Sequence, residues 1–480
     1  MKHGKGAWPR DERAPLAPEL SRAATAELLS RHDVPGPRYT SYPTAIEFHE
    51  GVGADEYAQR LAAASEASHQ PLSVYVHLPF CAERCLFCGC NVIITPHRDR
   101  ALPYLDLLRR EMALVGERLR DRRRVVQLHL GGGTPTFYEP NDLSALVADL
   151  VARFPPVPGA ELAVEVDPRV TRDDHVSALA RFGFNRMSLG VQDLTPRVQE
   201  AIHRIQSLDD TARVVARARA EGFSGINVDL IYGLPYQTPE TFETTVEAVI
   251  ALGFDRAAVY SFAFVPWIRG QQKRLPEEAL PDAALKLELF ALARERFLAA
   301  GYEPIGMDHF ALPGDELAVA RREGRLRRNF QGYTVLPATD TVGLGISAIG
   351  DVAGGYFQNT KKLSVYAEAL DVGRLPIERG VLRAADDEVR RHVIHGLLCN
   401  FQVDTREVEA DHGIRFDQYF AADLELLRAY ERERWVRVLP DAIEVLPPGQ
   451  LFVRNLAMCF DRYLRDRPAD PSRPTFSRTV

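Results

Sequence analysis

Six short runs rich in β-branched and aromatic residues, at 73–80, 125–130, 162–166, 186–191, 225–231 and 257–264, alternate with segments of helical period. That alternation constrains the fold more than any other feature, because parallel strands need a long return crossover between neighbours. The crossovers carry the apolar stripe such packing requires: Leu105, Leu108, Met112, Val115 and Leu119 recur at spacings of three and four. Six βα units suffice for a partial or complete barrel, whose reactive groups gather at the C-terminal ends of the strands. The expected class is therefore α/β, with a partial (β/α)6 TIM-type barrel.

The flanking sequence divides the remainder. Residues 1–33 read as a mobile arm. Residues 34–70 read as an N-terminal strap, since PGPRYTSYPTA has three prolines in eleven residues and cannot form a regular helix. Two roles for the strap stay open: packing on the core, or laying Arg38, Tyr39 and Tyr42 over the active site. The barrel occupies 71–310, and 311–380, where the alternation fades, reads as its extension and connection. Val389, Val393, Leu397, Leu424 and Leu427 mark 381–480 as a mainly helical C-terminal domain. The basic runs 118–124 and 321–328 read as solvated helix ends, where cations complement the helix dipole.

Of the 480 residues, 46% are hydrophobic and 26% charged, an ordinary globular composition. A net charge of −7 argues against nucleic acid and anionic membranes as partners. The first residues are polar and no run of about 18 apolar residues occurs, so the expectation is a cytoplasmic monomer acting on a small molecule.

Four of the six cysteines crowd between positions 81 and 90. Cys81, Cys85 and Cys88 form CxxxCxxC directly after the first β-rich run. Positions i, i+4 and i+7 share one helical face, so three core cysteines are one reading, although Pro79 and Gly89 mark a loop. Zinc, with Cys90 as fourth ligand, is a second, but Cys88 and Cys90 are closer than zinc ligands usually stand. An iron–sulfur cluster is the third: thiolates are its ligands, and three leave one iron of a 4Fe-4S cluster open. Cys399 and Cys459 lie in apolar helical settings and read as core. Two further features suit a ligand site. The glycine run before Thr134 follows the second β-rich run and permits close backbone approach, and Asp229 sits among apolar residues, where a ligand or an ion pair must offset its burial.

CxxxCxxC after a first barrel strand resembles the radical S-adenosylmethionine (SAM) superfamily. YVHLPFCAERCLFCGC, PGPRYTSYPTA, LHLGGGTPT, EVDPR, LGVQD, DLIYGLPYQTPE, GMDHFALPGDELAVARREG, RNFQGYT and NLAMCFDRYLR occur in that set. Together they resemble the oxygen-independent coproporphyrinogen III oxidases from about Val34 to the C-terminus.

The resemblance implies a 4Fe-4S cluster on Cys81, Cys85 and Cys88, with SAM chelated at the open iron and cleaved to a 5′-deoxyadenosyl radical. It implies two SAM molecules. Tyr75 would pack beside the first, Phe87 would hold its adenine, and Gly132, Gly133 and Thr134 would meet its methionyl group. Glu165 would accept hydrogen bonds from SAM, Gln192 and Asp229 would hold adenosine or ribose groups, and Arg204 would grip a carboxylate. Ala263 and Ile349 would line the pocket, and Cys90 would serve hydrogen transfer or substrate positioning. The implied reaction oxidatively decarboxylates two propionates of coproporphyrinogen III to vinyl groups, giving protoporphyrinogen IX in haem biosynthesis, with an unidentified electron donor and acceptor. A substrate with four propionates needs local cations on a chain of charge −7, and Arg38 is the expected contributor. Two alternatives stay open: a haem-binding chaperone on the same scaffold, and a zinc-stabilised binding protein.

Overall fold

All six β-rich runs become strands in a computed structural model, which describes residues 31–336, 338–467, 476, 478 and 479. Residues 1–30 of the expected arm lie outside the described residues. The strands are β1 (Leu72–Leu78), β2 (Val125–Gly132), β3 (Pro156–Val166), β4 (Arg186–Gln192), β5 (Gly225–Tyr232) and β6 (Arg256–Ser261). Each pairs in parallel with the next in sequence order. The main crossover helices are α1 (Leu102–Leu119), α2 (Pro140–Arg153), α3 (Asp173–Arg181), α4 (Leu208–Ala220) and α5 (Pro239–Ala251), with α6 (Ala283–Ala299) after β6. Side-chain caps fix several starts: Ser207 accepts from Asp210 N before α4, Thr238 from Thr241 N before α5 and Asp282 from Leu285 N before α6.

Strand pleat sorts the residues into two faces. Val74, Val76, Leu128, Leu130, Val164, Leu189, Val228 and Leu230 are fully buried in the main apolar core, as is the α1 stripe. The intervening positions, including Tyr75, His129, Glu165, Ser188 and Asp229, line a barrel interior that is polar.

Both edges of the sheet continue beyond the six strands. On one side β7 (Glu303–Ile305) and β8 (His309–Ala311) add antiparallel to β6. A separate hairpin follows, β9 (Arg327–Asn329) with β10 (Gly332–Thr334). On the other side β11 (Thr341–Leu344) pairs in parallel with β1, then β12 (Ile349–Val352), β13 (Gly355–Asn359) and β14 (Ile377–Leu382) run antiparallel. The order is β14-β13-β12-β11-β1-β2-β3-β4-β5-β6-β8-β7, so the sheet curls without closing. The fading alternation beyond residue 308 thus conceals more sheet, in strands of three to six residues that are too short to show a period.

Each basic run ends a helix as read, with Arg118 in the last turn of α1 and Arg321 and Arg322 in that of the helix Glu316–Arg322, but one arginine of each run turns inward. Arg122 is 1% exposed and donates to the carbonyls of Ala64 and Gln70, to Thr339 and to Asp340. Arg328 is also buried, within β9. Their long apolar stems allow inclusion in a core when the head group has a reason to be there.

The C-terminal part contains α7 (Ala385–His395), α8 (Thr405–His412), α9 (Ala421–Arg432) and α10 (Val453–Met458). It also holds a three-stranded antiparallel sheet, Gln402–Asp404, Ala442–Val445 and Val436–Val438, which helical spacing did not reveal. Its core of Val389, Val393, Leu397, Leu427, Ile443 and Leu456 incorporates Tyr39 and Tyr42 of the strap. Tyr39 donates to Asp461 at 2.9 Å, and Arg454 donates to the carbonyls of Gly36 and Pro37. Among the described residues no helix is long and apolar enough to cross a membrane.

Candidate functional site

The chain leaves β1 at Pro79 and forms a short parallel ladder, Phe80–Cys81 with Ile93–Ile94, which closes the cysteine loop at its base. The glycine run after β2 clamps that base. Gly133 N donates to Leu78 O at 2.8 Å and Thr134 N to Phe80 O at 3.0 Å. A Cβ at Gly133 would stand 2.6 Å from the Pro79 carbonyl carbon, so two backbones are in contact where only glycine fits.

Cys81, Cys85, Cys88 and Cys90 line one end of a cavity of about 430 Å3 together with Phe87. Its other walls include Gly132, Gly133, Thr134, Glu165, Gln192, Arg204 and Asp229. All six cysteines are free thiols. Each clustered sulfur has a polar neighbour: Thr134 Oγ1 lies 3.4 Å from Cys81 Sγ, and Arg204 and Arg169 donate to Cys85 Sγ at 3.7 and 3.8 Å. The Cys90 N–H donates to Cys88 Sγ at 3.4 Å. Hydrogen bonding from Cys90 brings the Cys88 thiol down to about 6, whereas burial pushes the Cys81 thiol up to about 11. Cys459 is buried in the apolar core of the C-terminal part, and Cys399 packs against Ile305, Leu317 and Leu326 of the barrel extension.

Charge is tightly managed on the cavity walls. Asp167, in EVDPR, accepts from Arg169 at 2.7 Å and Arg204 at 3.0 Å. Burial opposes its ionisation, yet the two guanidiniums hold its carboxyl below the ordinary range. Arg204 also donates to Gly190 O at 2.6 Å, and its Nε is buried without a partner. Glu165 lies 2.9 Å from His129 Nε2 and accepts from Gly132 N at 3.2 Å. These bonds outweigh burial and keep its carboxyl below the usual value. Asp229 accepts from Ser188 at 3.0 Å and Asn227 at 2.8 Å, but burial first, and the Glu165 charge second, raise it to about 6.

The remaining residues singled out in the sequence lie elsewhere around this centre. Tyr75 lines an adjoining cavity of about 160 Å3, which shares Glu165, Ser188 and Asp229 with the cysteine-lined one. Its hydroxyl is 3.0 Å from His77 Nδ1. Ala263 is tied to the cysteine loop through Gln272, whose Nε2 donates to both Ala263 O and Phe87 O. Ile349 packs with Phe48, Phe330 and Tyr356 at the sheet edge. Arg38 reaches the barrel but is engaged, donating to Asp308 Oδ2 at 2.7 Å and lying over the Tyr260 ring at 5.6 Å. Sequence reasoning missed Asp167, Arg169, His129 and Gln272. For the first two the available signal was a charged pair immediately beyond a strand end, where barrel chemistry collects.

These residues fit a thiolate-bound cluster with an open corner and a polar ligand beside it. Three thiols converge on one cavity with N–H and O–H groups directed at their sulfurs, as iron–sulfur ligation requires. The cavity also offers a buried guanidinium nitrogen still lacking an acceptor and two carboxylates able to receive an ammonium or hydroxyls.

Residues 75–249 match the family model of the radical SAM superfamily. The chain is 44% identical over 457 residues to the oxygen-independent coproporphyrinogen III oxidase of Pseudomonas aeruginosa, covering 95% of this chain and 98% of that one. It is 43% identical to the enzyme of the same description from Escherichia coli, over 92% of this chain and 95% of the relative. A solved structure of Escherichia coli coproporphyrinogen III oxidase, described as a radical SAM enzyme, superposes with a TM-score of 0.85 at 42% identity, covering 89% of this chain and 97% of that one.

Proposed function

The chain belongs to the oxygen-independent coproporphyrinogen III oxidases, and from that premise we propose that Cys81, Cys85 and Cys88 ligate the family's 4Fe-4S cluster beside bound SAM. The protein is an oxidoreductase of haem biosynthesis that converts two propionates of coproporphyrinogen III to vinyl groups with loss of carbon dioxide, giving protoporphyrinogen IX. When bound, the cluster and SAM supply a 5′-deoxyadenosyl radical. The observation that carries the residue assignment is the convergence of three free thiols with Glu165, Arg204 and Asp229 on one cavity at the strand ends.

The chain's own part is to bind, orient and exclude water. Gly132, Gly133 and Thr134 hold the methionyl side of SAM, and Glu165, kept ionised by His129 and Gly132 N, accepts its hydrogen bonds. Phe87 supports the adenine and Tyr75 packs alongside. Ala263, held to the Phe87 loop through Gln272, joins the site on that side, whereas Ile349 packs outside both cavities and would support the SAM pocket indirectly. Gln192, Arg204 and Asp229, which line the same cavity, serve a second SAM molecule. Arg204 Nε, still without an acceptor, is suited to a carboxylate. Cys90, exposed and adjacent to Cys88, is the thiol best placed for hydrogen transfer or substrate positioning. Arg38, held by Asp308, presents the rest of its guanidinium to a substrate propionate. In this reading the protein works in the cytoplasm as a monomer, with an electron donor and an acceptor of separate origin.

An anaerobic assay tests the assignment. Protein reconstituted with iron and sulfide, supplied with SAM, a reductant and coproporphyrinogen III, is expected to release protoporphyrinogen IX and 5′-deoxyadenosine. Neither product from protein with a full cluster would overturn the reading.

A further inference from the structure

The hairpin β9–β10 carries a buried charge that makes no ion pair among the described residues. Arg328 is 7% exposed. It pairs across the hairpin with Tyr333, and its guanidinium carbon lies 4.7 Å from the Tyr333 ring centre. Among the described residues neither its Nε nor its Nη1 has a hydrogen-bond partner, and no carboxylate forms an ion pair with it. Asp308 is close enough to influence it electrostatically but is already engaged, by Arg38 at 2.7 Å and by His309 at 2.7 Å.

The neighbouring helix α7 adds two more buried nitrogens without hydrogen-bond partners among the described residues, Arg391 Nε and His395 Nε2. The charges acting most on His395 are all cationic: Arg391, Arg328, Arg327 and Arg383. Arg383 and Arg391 are answered by Asp351 and Glu388, which leaves the positive excess on the side of Arg328. A buried guanidinium without acceptors is among the costliest arrangements in a folded chain, and one partner would relieve it.

The same hairpin leads to the reaction centre. Asn329, Gln331 and Tyr333 line the barrel cavity together with Tyr260 and His309, and that cavity shares Glu165 and Asp229 with the cysteine-lined one; Arg328 lines neither cavity itself and meets this wall through the Tyr333 ring it packs on. We propose that Arg328, with His395 beside it, forms a carboxylate-recognition subsite that receives one propionate of the bound porphyrinogen. The inference rests on the oxidase reading and deepens it: a substrate carboxylate meets the open Nε and Nη1 donors of Arg328, and binding is strongest for a ligand with a carboxylate at that position. Arg328 is a substrate-binding residue here, with no part in the chemistry of the reacting propionate.

Full-length holoenzyme carrying Arg328→Met or Arg328→Lys separates this role from a structural one. The KM for coproporphyrinogen III is expected to rise about tenfold to a hundredfold in R328M and less in R328K. Iron content should stay unchanged, and the melting temperature without substrate should be equal to or above that of the wild type. The rise in melting temperature that a fixed substrate concentration gives the wild type should shrink in R328M. A KM within about twofold of wild type, or a lower substrate-free melting temperature in both variants, would overturn the subsite. A wild-type enzyme making no protoporphyrinogen IX would instead sink the oxidase reading, so the two failures are distinguishable.

Discussion

Arg122 and Arg328 come from the two basic runs, both are buried, and their surroundings are opposite. Arg122 stands where chain segments enter the sheet, and each of its three nitrogens has an acceptor, with Asp340 at 2.6 Å. Arg328 has a tyrosine face and, among the described residues, no acceptor at Nε or Nη1. The contrast separates buried charge that holds the fold from buried charge that awaits a ligand. The first is recognised by saturation, because an internal acceptor set makes removal of either partner costly. The second is recognised by donors left open near a cavity. The cysteine-lined cavity falls on the open side of this division, with free thiols and an unmatched Arg204 Nε.

If the division holds, substitutions on the open side abolish chemistry and spare the fold, and those on the saturated side do the reverse. The largest expected effect is at the proposed cluster ligands. Cys85→Ala should eliminate 5′-deoxyadenosine formation and lower bound iron, while far-ultraviolet circular dichroism stays that of the wild type. Arg122→Met should cost about 3–5 kcal/mol by leaving the buried Asp340 carboxylate without its countercharge, read from denaturant midpoints. A loss near zero would break the comparison at its saturated end.

Glu111 of α1 offers a pH-dependent version. It accepts from Gly345 N at 2.7 Å, Asn359 at 2.6 Å and Tyr366 at 2.5 Å, and burial raises it to about 7 from 4.5. A carboxyl raised in the folded state binds its proton more tightly there than in the unfolded chain. Its contribution is therefore complete below pH 4.5 and disappears as pH rises through about 7. The stability of wild type relative to Glu111→Gln should fall by on the order of 3 kcal/mol across that window. A flat or rising difference would show that the three donors dominate burial. The smallest expected effect is at Asp167, which positions Arg169 and Arg204. Asp167→Asn should raise the KM for SAM about tenfold, with kcat less affected.

The legible part of this molecule follows its periodicity. The six parallel strands and α1 were readable because their runs are long enough to display alternation or a helical stripe. The cysteine loop and the glycine run were readable because their residue types are chemically unusual. The strands beyond β6 were not, since three to six residues carry too little pattern, and neither was the small sheet within the helical C-terminal part. Arg122 and Arg328 escaped for a different reason. Basic residues in runs resemble a solvated surface, and only the tertiary structure reveals which head group turns inward. Asp167 and Gln272 act by linking segments remote in sequence, a relation that local spacing does not encode.

The central claim is that this fold directs a radical from SAM to a propionate side chain. It is tested most directly with coproporphyrinogen III deuterated at the β-carbons of its propionates, incubated anaerobically with the reconstituted enzyme, SAM and a reductant. The account predicts deuterium in the 5′-deoxyadenosine released, in step with protoporphyrinogen IX. Protoporphyrinogen IX formed alongside unlabelled 5′-deoxyadenosine would contradict it.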